Sequence, residues 1–466
     1  MCGKYRQAQG WSEFKRIAEY SNFVCRPAQA NALNTAHTET LVLNADGAWE
    51  VEHCPDWVTL SKASGTGKTE LRLTFNPMEH GAGNRRDSIL FRMPEEEYTT
   101  YCVVSQYDCE HEEDSYLTLQ EHTKGNGIDI VFIGDGFDGE NISDGSYLEQ
   151  IKQQTEYFFG IEPYKSHRDY FNVYVTFPLS QETGVNTMHT YVNNRFGTLY
   201  GYDGNAMSTM DRLLTETDEI MDYVVEKSPL TNENLWRSLV ILVPNSDAYN
   251  AVTDFWNNVP FCICPPSNRP YPQDTRGVIQ HEACGHGFGR LADEEIVLSQ
   301  WPGSRVLKDI EEKQSWGWYQ NIATTSNMKQ VPWADFIFDT RYSDYVDVYE
   351  GAYGYMRGIF RSEANSCMNY GIPYYNTISR LSIMRRIFDY AREPFSMDYF
   401  YEHDTNKWGD RDGTTREGTV HAHFDGSSYA GSNQHVAPQM VDAKKRGDRV
   451  REIRARLKAE RDSKRY

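Results

Sequence analysis

The chain lacks any run that approaches the roughly 18 apolar residues of a membrane-spanning helix, so we expect no membrane span. It is also poor in positive charge, with 47 Lys and Arg against 67 Asp and Glu and a formal net charge of −20. Such an acidic chain gains nothing from counterion release at phosphates, which excludes nucleic acid as an expected partner. Its nine cysteines show no metal-finger spacing, and an odd number leaves at least one thiol unpaired if disulfides form.

No signal-peptide core precedes the first predicted strands, yet the chain opens with Met1-Cys2-Gly3. A mature lipoprotein begins with a lipidated cysteine, so this start fits a chain trimmed of its signal, with Cys2 as the lipid anchor. We therefore expect an extracellular, periplasmic or cell-surface location. At the other end, residues 441–466 mix both charge signs and predict a solvated, charged helix rather than a binding tail.

With 466 residues and 39% hydrophobic content, the chain is expected to form two or three globular domains. After an N-terminal segment (residues 1–37), short segments with apolar and polar alternation predict a small all-β sandwich over residues 38–107. These segments are bounded by turn-forming or charged residues and lie at 40–43, 48–51, 71–75, 89–92 and 101–104. The acidic stretch 108–116 is a predicted linker.

The sandwich region carries motifs that resemble the Bacteroidetes-associated carbohydrate-binding (BACON) module. They are DWVTLS at 56–61, SGTG at 64–67, NRR at 84–86 and the closing VSQ at 104–106. The resemblance implies either glycan binding or a spacer role, and both alternatives stay open.

Residues 117–440 predict a larger α/β (α+β) domain, since buried strands alternate with a helical pattern. The apolar run at 128–133 ends in Gly134-Asp135-Gly136, helical spacing covers 147–159, and further strands are predicted at 171–175 and 238–243. Asp135 is interpreted as a turn residue, with a cation- or substrate-binding role as the alternative.

The segment His281-Glu282-Ala283-Cys284-Gly285-His286 carries the predicted chemistry. In the usual zinc-peptidase helix the two histidines are four residues apart and face one ion. Here they are five apart, and on a straight α-helix they would diverge by about 140°. Either the motif is accidental or the helix carries an i→i+5 bulge, which we favour because Gly285 eases local deformation.

A catalytic zinc needs a third protein ligand. A turn at Gly289 would bring Asp293 back to the histidines, with Glu294 as the alternative third ligand. Downstream, residues 365–370 resemble the Met-turn of metzincin peptidases. That resemblance implies that Met368 is a hydrophobic floor beneath the zinc and that Tyr370 helps to hold the oxyanion.

Taken together, residues 116–390 resemble the immunoglobulin A peptidase family of zinc metallopeptidases. The carrying segments are 133–137, 162–164, 170–174, 241–246, 286–294, 351–353 and 361–368. The resemblance implies a Zn²⁺-dependent endopeptidase acting on extracellular protein or glycoprotein substrates. His281, His286 and Asp293 would be the ligands, and Glu282 the general base for a zinc-activated water. The alternatives are an inactive glycan-binding surface protein with a peptidase-like fold, motivated by the wide histidine spacing, and a zinc hydrolase acting on another bond.

Overall fold

A computed structural model describes residues 23–95, 98–201, 212–247, 251–407, 439–440 and 442–464. They divide into two compact units, the first ending at Glu113 and the second beginning at Asp114. Cys2, the predicted lipid anchor, lies outside the described residues, as does the N-terminal segment up to residue 22. Within the described part of the chain, no helix has the length and apolarity that a membrane crossing requires.

The first unit consists of two β-sheets. One has the strand order β1-β3-β7-β5, and the other has the order β2-β9-β8-β4-β6. The strands are β1 (Val24–Arg26), β2 (Gln29–Ala32), β3 (His37–Asn44), β4 (Ala48–His53), β5 (Val58–Leu60), β6 (Ser64–Thr66), β7 (Thr69–Phe75), β8 (Arg85–Met93) and β9 (Tyr98–Gln106). This unit is therefore all-β among its described residues.

Alternation along the strands explains how the two sheets share a core. Leu41 and Leu43 of β3 are buried, as are Ile89 and Phe91 of β8, and all four belong to one hydrophobic cluster. The unit starts earlier than the expected boundary at residue 38, because β1 pairs with β3 and β2 pairs with β9. Pairing between strands distant in sequence gives no local signal, so these two short strands escaped the sequence analysis.

His37, at the start of β3, is a half-buried titratable group that contacts two carboxylates. Its Nδ1 lies 2.8 Å from Glu113 Oε2, and its Nε2 lies 3.0 Å from Glu39 Oε1. Burial alone would lower the pKa of His37, but the two carboxylates outweigh it and raise the pKa to about 9.

The second unit is built on a seven-stranded mixed sheet of order β10-β12-β11-β16-β18-β17-β23. β11 runs parallel to both β12 and β16, and β16 runs parallel to β18. The strands of this unit are β10 (Tyr116–Gln120), β11 (Ile128–Asp135), β12 (Phe171–Thr176), β13 (Asn186–Thr187), β14 (Leu199–Gly201), β15 (Arg212–Leu214), β16 (Leu239–Pro244), β17 (Val252–Trp256), β18 (Val259–Ile263), β19 (Ile296–Leu298), β20 (Ile322–Ala323), β21 (Tyr349–Ala352), β22 (Gly354–Arg361) and β23 (Gln439–Met440).

Helices surround this sheet, as the mixed α/β pattern predicted. They are α1 (Gly139–Ser143), α2 (Ser146–Phe158), α3 (Thr217–Lys227), α4 (Thr275–Ile279), a π-helix (Gln280–Phe288), α5 (Ser304–Ser315), α6 (Ala334–Ile337), α7 (Cys367–Tyr370), α8 (Thr377–Ala391), α9 (Met397–His403) and α10 (Ala443–Lys464), with 3₁₀ turns at Arg168–Tyr170 and Leu235–Arg237. Strands β11, β16 and β18 are buried along their whole length. Because the π-helix packs on β16, β17 and β18, it rests on the rigid centre of the unit.

The C-terminal helix α10 differs from the solvated helix that the sequence predicted. Val450, Ile453 and Leu457 are buried and pack with Leu199 and Leu214. Local charge patterning hid this apolar stripe, since basic and acidic residues fill the rest of the helix. Part of α10 is therefore an integral element of the second unit.

Candidate metal centre

The two predicted histidine ligands lie on a π-helix that continues directly from α4. The Asp274 side chain caps α4 by accepting a 2.9 Å hydrogen bond from the Gly277 N–H. The π-helix then covers Gln280–Phe288, and the Gly289 N–H donates to the Cys284 carbonyl at 2.8 Å, an i→i+5 bond. The predicted i→i+5 widening is thus confirmed, although it extends over nine residues rather than one bulged turn.

Hydroxyl groups from distant segments hold the carbonyls of the π-helix. Tyr375 donates to the Gln280 carbonyl at 2.5 Å, and Tyr164 donates to the Cys284 carbonyl at 2.6 Å. Thr253 Oγ1 lies 3.0 Å from the Glu282 carbonyl and 2.9 Å from Glu282 Oε2, so its single proton is shared between these two acceptors. A π-helix is rarely stable by itself, so these tertiary contacts are a physical reason for its persistence here.

Gly285 lets the π-helix approach the predicted Met-turn closely. A Cβ on Gly285 would lie 2.3 Å from Met368 Sδ and 3.0 Å from Met368 Cε. The Met368 side chain is fully buried, so it forms a close-packed surface directly against this helix next to His286.

The π-helix ends by a turn that differs from the expected one. The expected turn residue Gly289 keeps a helical φ of −66°, and Arg290 adopts a φ of +55° instead. The Leu291 N–H then donates to the Gly285 carbonyl at 3.0 Å, and the following segment is fixed by a 2.9 Å bond from the Tyr353 N–H to the Asp293 carbonyl. This geometry returns Asp293 to the histidines.

His281, His286 and Asp293 converge on one point. Each histidine Nε2 lies 3.1 Å from Asp293 Oδ1, and the three candidate ligand atoms all lie within 4.8 Å of one another. The imidazole rings are 4.7 Å apart between centroids, with an interplanar angle of 82°. All three side chains are buried, so this cluster is shielded from bulk water.

The hydrogen bonds on the far sides of the rings define which nitrogen atoms face the cluster. His281 Nδ1 donates to the Cys367 carbonyl at 3.0 Å, and His286 Nδ1 donates to the Leu291 carbonyl at 2.8 Å. A carbonyl can only accept, so in the neutral rings the Nε2 lone pairs point at the Asp293 oxygen. A proton on one ring or a bound cation satisfies such facing acceptors in a buried site, and the same carbonyl contacts orient metal-binding histidines. The three residues therefore fit a metal ion.

The pKa shifts of the clustered residues also indicate that positive charge is favoured at this site. Burial would lower the pKa of His286, but the Asp293 carboxylate outweighs it and raises that pKa. Burial would conversely raise the pKa of Asp293, and the two histidines depress it strongly instead. The cluster thus favours positive charge at its centre.

Glu294, the alternative third ligand, faces a different set of partners. Its Oε1 accepts from Asn321 at 2.8 Å and from Asn376 at 2.6 Å, and its Oε2 accepts from Ser366 at 2.6 Å. Burial raises the pKa of Glu294 to about 7. Oε2 thus links the Asp293 segment to the Met-turn, and Oε1 is occupied by two asparagine amides, so the geometry favours Asp293 over Glu294 as the ligand.

The two predicted catalytic residues have different surroundings. Glu282 is fully buried beside His281, and its Oε2 lies 2.9 Å from Thr253 Oγ1. Tyr370 is half-buried at the end of α7, and its N–H donates to the Ser366 carbonyl at 3.1 Å. Glu282 therefore lies on the same helix as the two candidate histidine ligands.

Asp135 has the local structural role that the sequence favoured. Its carboxylate accepts bonds from the Gly136, Phe196 and Thr198 N–H groups at 2.9 to 3.1 Å. It therefore organises loops at the end of β11 instead of facing the histidine cluster.

Sequence reasoning missed the supporting residues Thr253, Tyr164, Tyr375, Asn321 and Asn376. Each makes a single hydrogen bond or two to the centre from a segment 27 to 120 residues away. Tyr164 lies in the segment 162–164 that carries the family resemblance, but nothing in the local sequence of the other four distinguishes them from other polar residues.

A match to a known protein family supports a peptidase independently of the site geometry. Residues 117–341 match the model of the IgA Peptidase M64 family. The match covers just under half of the chain and includes all three clustered residues. It supports a peptidase, and therefore a hydrolase, and the peptidases of the M64 family are metallopeptidases.

The matches to solved structures do not indicate the fold of this chain. No curated protein matches the chain. A Caenorhabditis elegans MSP family member, WR4, aligns at 17% identity over 19% of this chain and 100% of its own, with a TM-score of 0.16. A Bacteroides ovatus GH5 xyloglucanase aligns at 10% identity over 47% of this chain and 44% of its own, with a TM-score of 0.17. These TM-scores are too low to indicate a shared fold.

Proposed function

We propose that the chain is a zinc-dependent endopeptidase that cleaves extracellular protein or glycoprotein substrates. The convergence of His281, His286 and Asp293 on one buried point carries this proposal, together with the peptidase family match. Two imidazole nitrogens and one carboxylate oxygen are a ligand set typical of catalytic zinc, which keeps a further position for water or substrate. Zinc at such a site supplies Lewis-acid polarisation of a carbonyl and lowers the pKa of a coordinated water.

Glu282 is the proposed general base. It follows His281 directly on the π-helix, and the Thr253 hydroxyl fixes its Oε2. In an ionised state this carboxylate accepts the proton of the attacking water and then delivers it to the leaving amine, as general acid–base catalysis requires. Its burial keeps bulk water from competing for that proton.

Tyr370 and Met368 have supporting roles in the proposal. The Met368 side chain packs against Gly285 and so limits movement of the helix turn that carries His286. Tyr370 would donate its phenol O–H to the developing oxyanion, a role supported by its partial exposure at the end of the same turn.

The test combines metal content with cleavage of a denatured protein substrate. The wild type should hold about one zinc per chain, whereas His281→Ala and His286→Ala should lose it because each removes a ligand. The exposed His189 provides a matched control, and His189→Ala should keep the metal. Glu282→Gln should retain zinc and lose at least about 100-fold in kcat, the usual contribution of a general base.

The outcomes distinguish the competing functions. If Glu282→Gln keeps more than a few per cent of activity, the assigned base is wrong. If the wild type binds no zinc after reconstitution, the catalytic proposal fails and the glycan-binding surface protein becomes the better hypothesis. Zinc binding with turnover of only non-peptide substrates would indicate another hydrolase.

A further inference from the structure

A cleft of about 680 Å³ lies at the C-terminal end of the π-helix. Arg386 marks this end, because its Nη1 donates to the carbonyls of Phe288 at 3.0 Å and Gly289 at 2.6 Å. We call it the tryptophan cleft, since Trp236, Trp316 and Trp318 line it. Its volume is in the range of small-ligand sites.

Two of these tryptophans offer exposed ring surface. Trp236 is 43% exposed and Trp316 is 49% exposed, although large aromatic side chains usually bury most of their area. Trp236 is braced edge-to-face by Tyr390 at 5.3 Å, and Trp316 is braced by Trp318 at 5.6 Å. The rings are therefore held in place. The Arg392 guanidinium lies 5.1 Å from the centre of the Trp236 ring, so Trp316 offers the freer flat surface on which another ring can stack.

A buried cation lies beside these surfaces. Arg290 is 4% exposed, and its guanidinium lies 4.3 Å from the Phe255 ring and 4.7 Å from the Trp318 ring. Its Nη2 donates to the Asn258 carbonyl at 2.7 Å. Its buried Nη1 makes no close hydrogen bond among the residues that the structure describes, and the Tyr390 phenol is the polar side chain that interacts with this guanidinium. An unsatisfied donor on a buried guanidinium is costly, and an anionic acceptor from a ligand would remove that cost.

The residues that line the cleft favour a ligand that carries hydroxyl groups as well as a negative charge. Arg290 and Arg386 make the cleft locally positive in a chain whose net charge is −20. Asp389 and Asn258 lie at the rim, and both are exposed. The Asp389 carboxylate accepts hydrogen bonds and would repel a ligand that is only an anion, whereas hydroxyl groups of a ligand would satisfy it.

We propose that the tryptophan cleft binds an acidic sugar residue, with the ring stacked on Trp236 or Trp316 and the carboxylate facing Arg290. Because Nη2 is already bonded to the Asn258 carbonyl, the ligand carboxylate accepts from Nη1, and the positive charge of the donor strengthens that hydrogen bond. The hydroxyl groups reach Asn258 and Asp389. This site lies within the second unit and is distinct from the β-sandwich for which glycan contact was expected.

Binding is tested with the full chain by titration calorimetry, without any proteolytic substrate. The probes are N-acetylneuraminic acid and glucuronic acid, with N-acetylglucosamine and acetate as the neutral-ring and carboxylate-only controls. The acidic sugars should bind at least about tenfold more tightly than either control, because only they use both the arginine and the aromatic surfaces. Trp316→Ala should weaken this binding by about fivefold to tenfold.

Trp301 provides the matched control variant, since it is 68% exposed and lies outside the cleft. Trp301→Ala should change the affinity by less than about twofold, the usual scatter for a site that shares no contact. Arg290→Lys should weaken the binding of acidic sugars and leave that of neutral sugars unchanged, because lysine keeps the charge and loses the Nη1 donor.

Several results would overturn the proposal. Equal binding of acidic and neutral sugars would remove the role of Arg290, and binding that survives both Trp236→Ala and Trp316→Ala would place the ligand elsewhere. Binding of a peptide that ends in an aromatic residue and a free carboxylate, without sugar binding, would assign the cleft to peptide. None of these readouts depends on zinc or turnover, so the proposal stands or falls separately from the peptidase.

Discussion

The hydroxyl of Thr253 gives the sharpest test of the proposed base. It lies 2.9 Å from Oε2 of Glu282, whose side chain is fully buried. Thr253→Val keeps the side-chain shape and removes that hydroxyl from β17. A hydrogen bond to a charged group contributes about 1.5–3 kcal/mol, which corresponds to a loss of about tenfold to about 100-fold in kcat at pH values on the acid limb of the profile.

The direction of the pH effect follows from the same bond. A donor on a carboxylate favours its ionised form, so removing the donor favours the protonated form, which is inactive as a base. The acid limb of the kcat–pH profile should therefore move up by about one to two pH units. KM should change little, because Thr253 makes no contact that the proposal assigns to substrate.

The assay is a kcat–pH profile of purified variants, with zinc content and melting temperature measured on the same samples. Thr253→Ser is the matched control, since it retains the hydroxyl and should keep the wild-type acid limb. A Thr253→Val enzyme with bound zinc and an unshifted acid limb would refute the reasoning. A loss of activity without any shift of the profile would indicate that Thr253 only supports the π-helix.

Three further predictions concern the metal ligands, the helix and the sandwich. Asp293→Asn should lower zinc affinity by about 100-fold or more, whereas Glu294→Gln should change it by less than about tenfold, as measured by competition with a chelator. Gly285→Ala should destabilise the second unit by about 1–3 kcal/mol in denaturant unfolding, because its Cβ meets a buried side chain; Gly447→Ala, in α10, should be neutral or stabilising. The raised pKa of His37 stabilises the first unit fully below about pH 6.5. This stability, about 3 kcal/mol, should be lost as the pH rises through about 9, and His37→Gln should abolish the dependence.

The parts of the fold that were predictable are those with local patterns. Alternation located β3, β4, β7, β8 and β9 closely, and continuous apolar runs located β11 and β16. The short strands β1 and β2 form by pairing with distant strands, and the apolar face of α10 is buried by packing against distant residues. Their own short stretches of sequence therefore do not predict these contacts. In the candidate metal site, too, some features follow from a local sequence pattern and others depend on tertiary contacts. Its histidines and acidic residues form a readable motif, but the choice between Asp293 and Glu294 depends on which carboxylate Ser366, Asn321 and Asn376 occupy.

The five-residue histidine spacing was the strongest sequence argument against a metal site. The π-helix answers this objection, because it brings both histidines to one face. In an α-helix, residues four apart lie one hydrogen-bonded turn from each other, and an i→i+5 ladder extends that turn to five residues. His281 and His286 are therefore neighbours on one face, which their equal 3.1 Å distances to Asp293 Oδ1 show directly. The extra residue needs space and new hydrogen-bond partners, and Gly285 and Tyr164 provide them. Since the wider spacing is built into the surrounding packing, deleting one residue to restore the usual spacing should break the cluster rather than improve it.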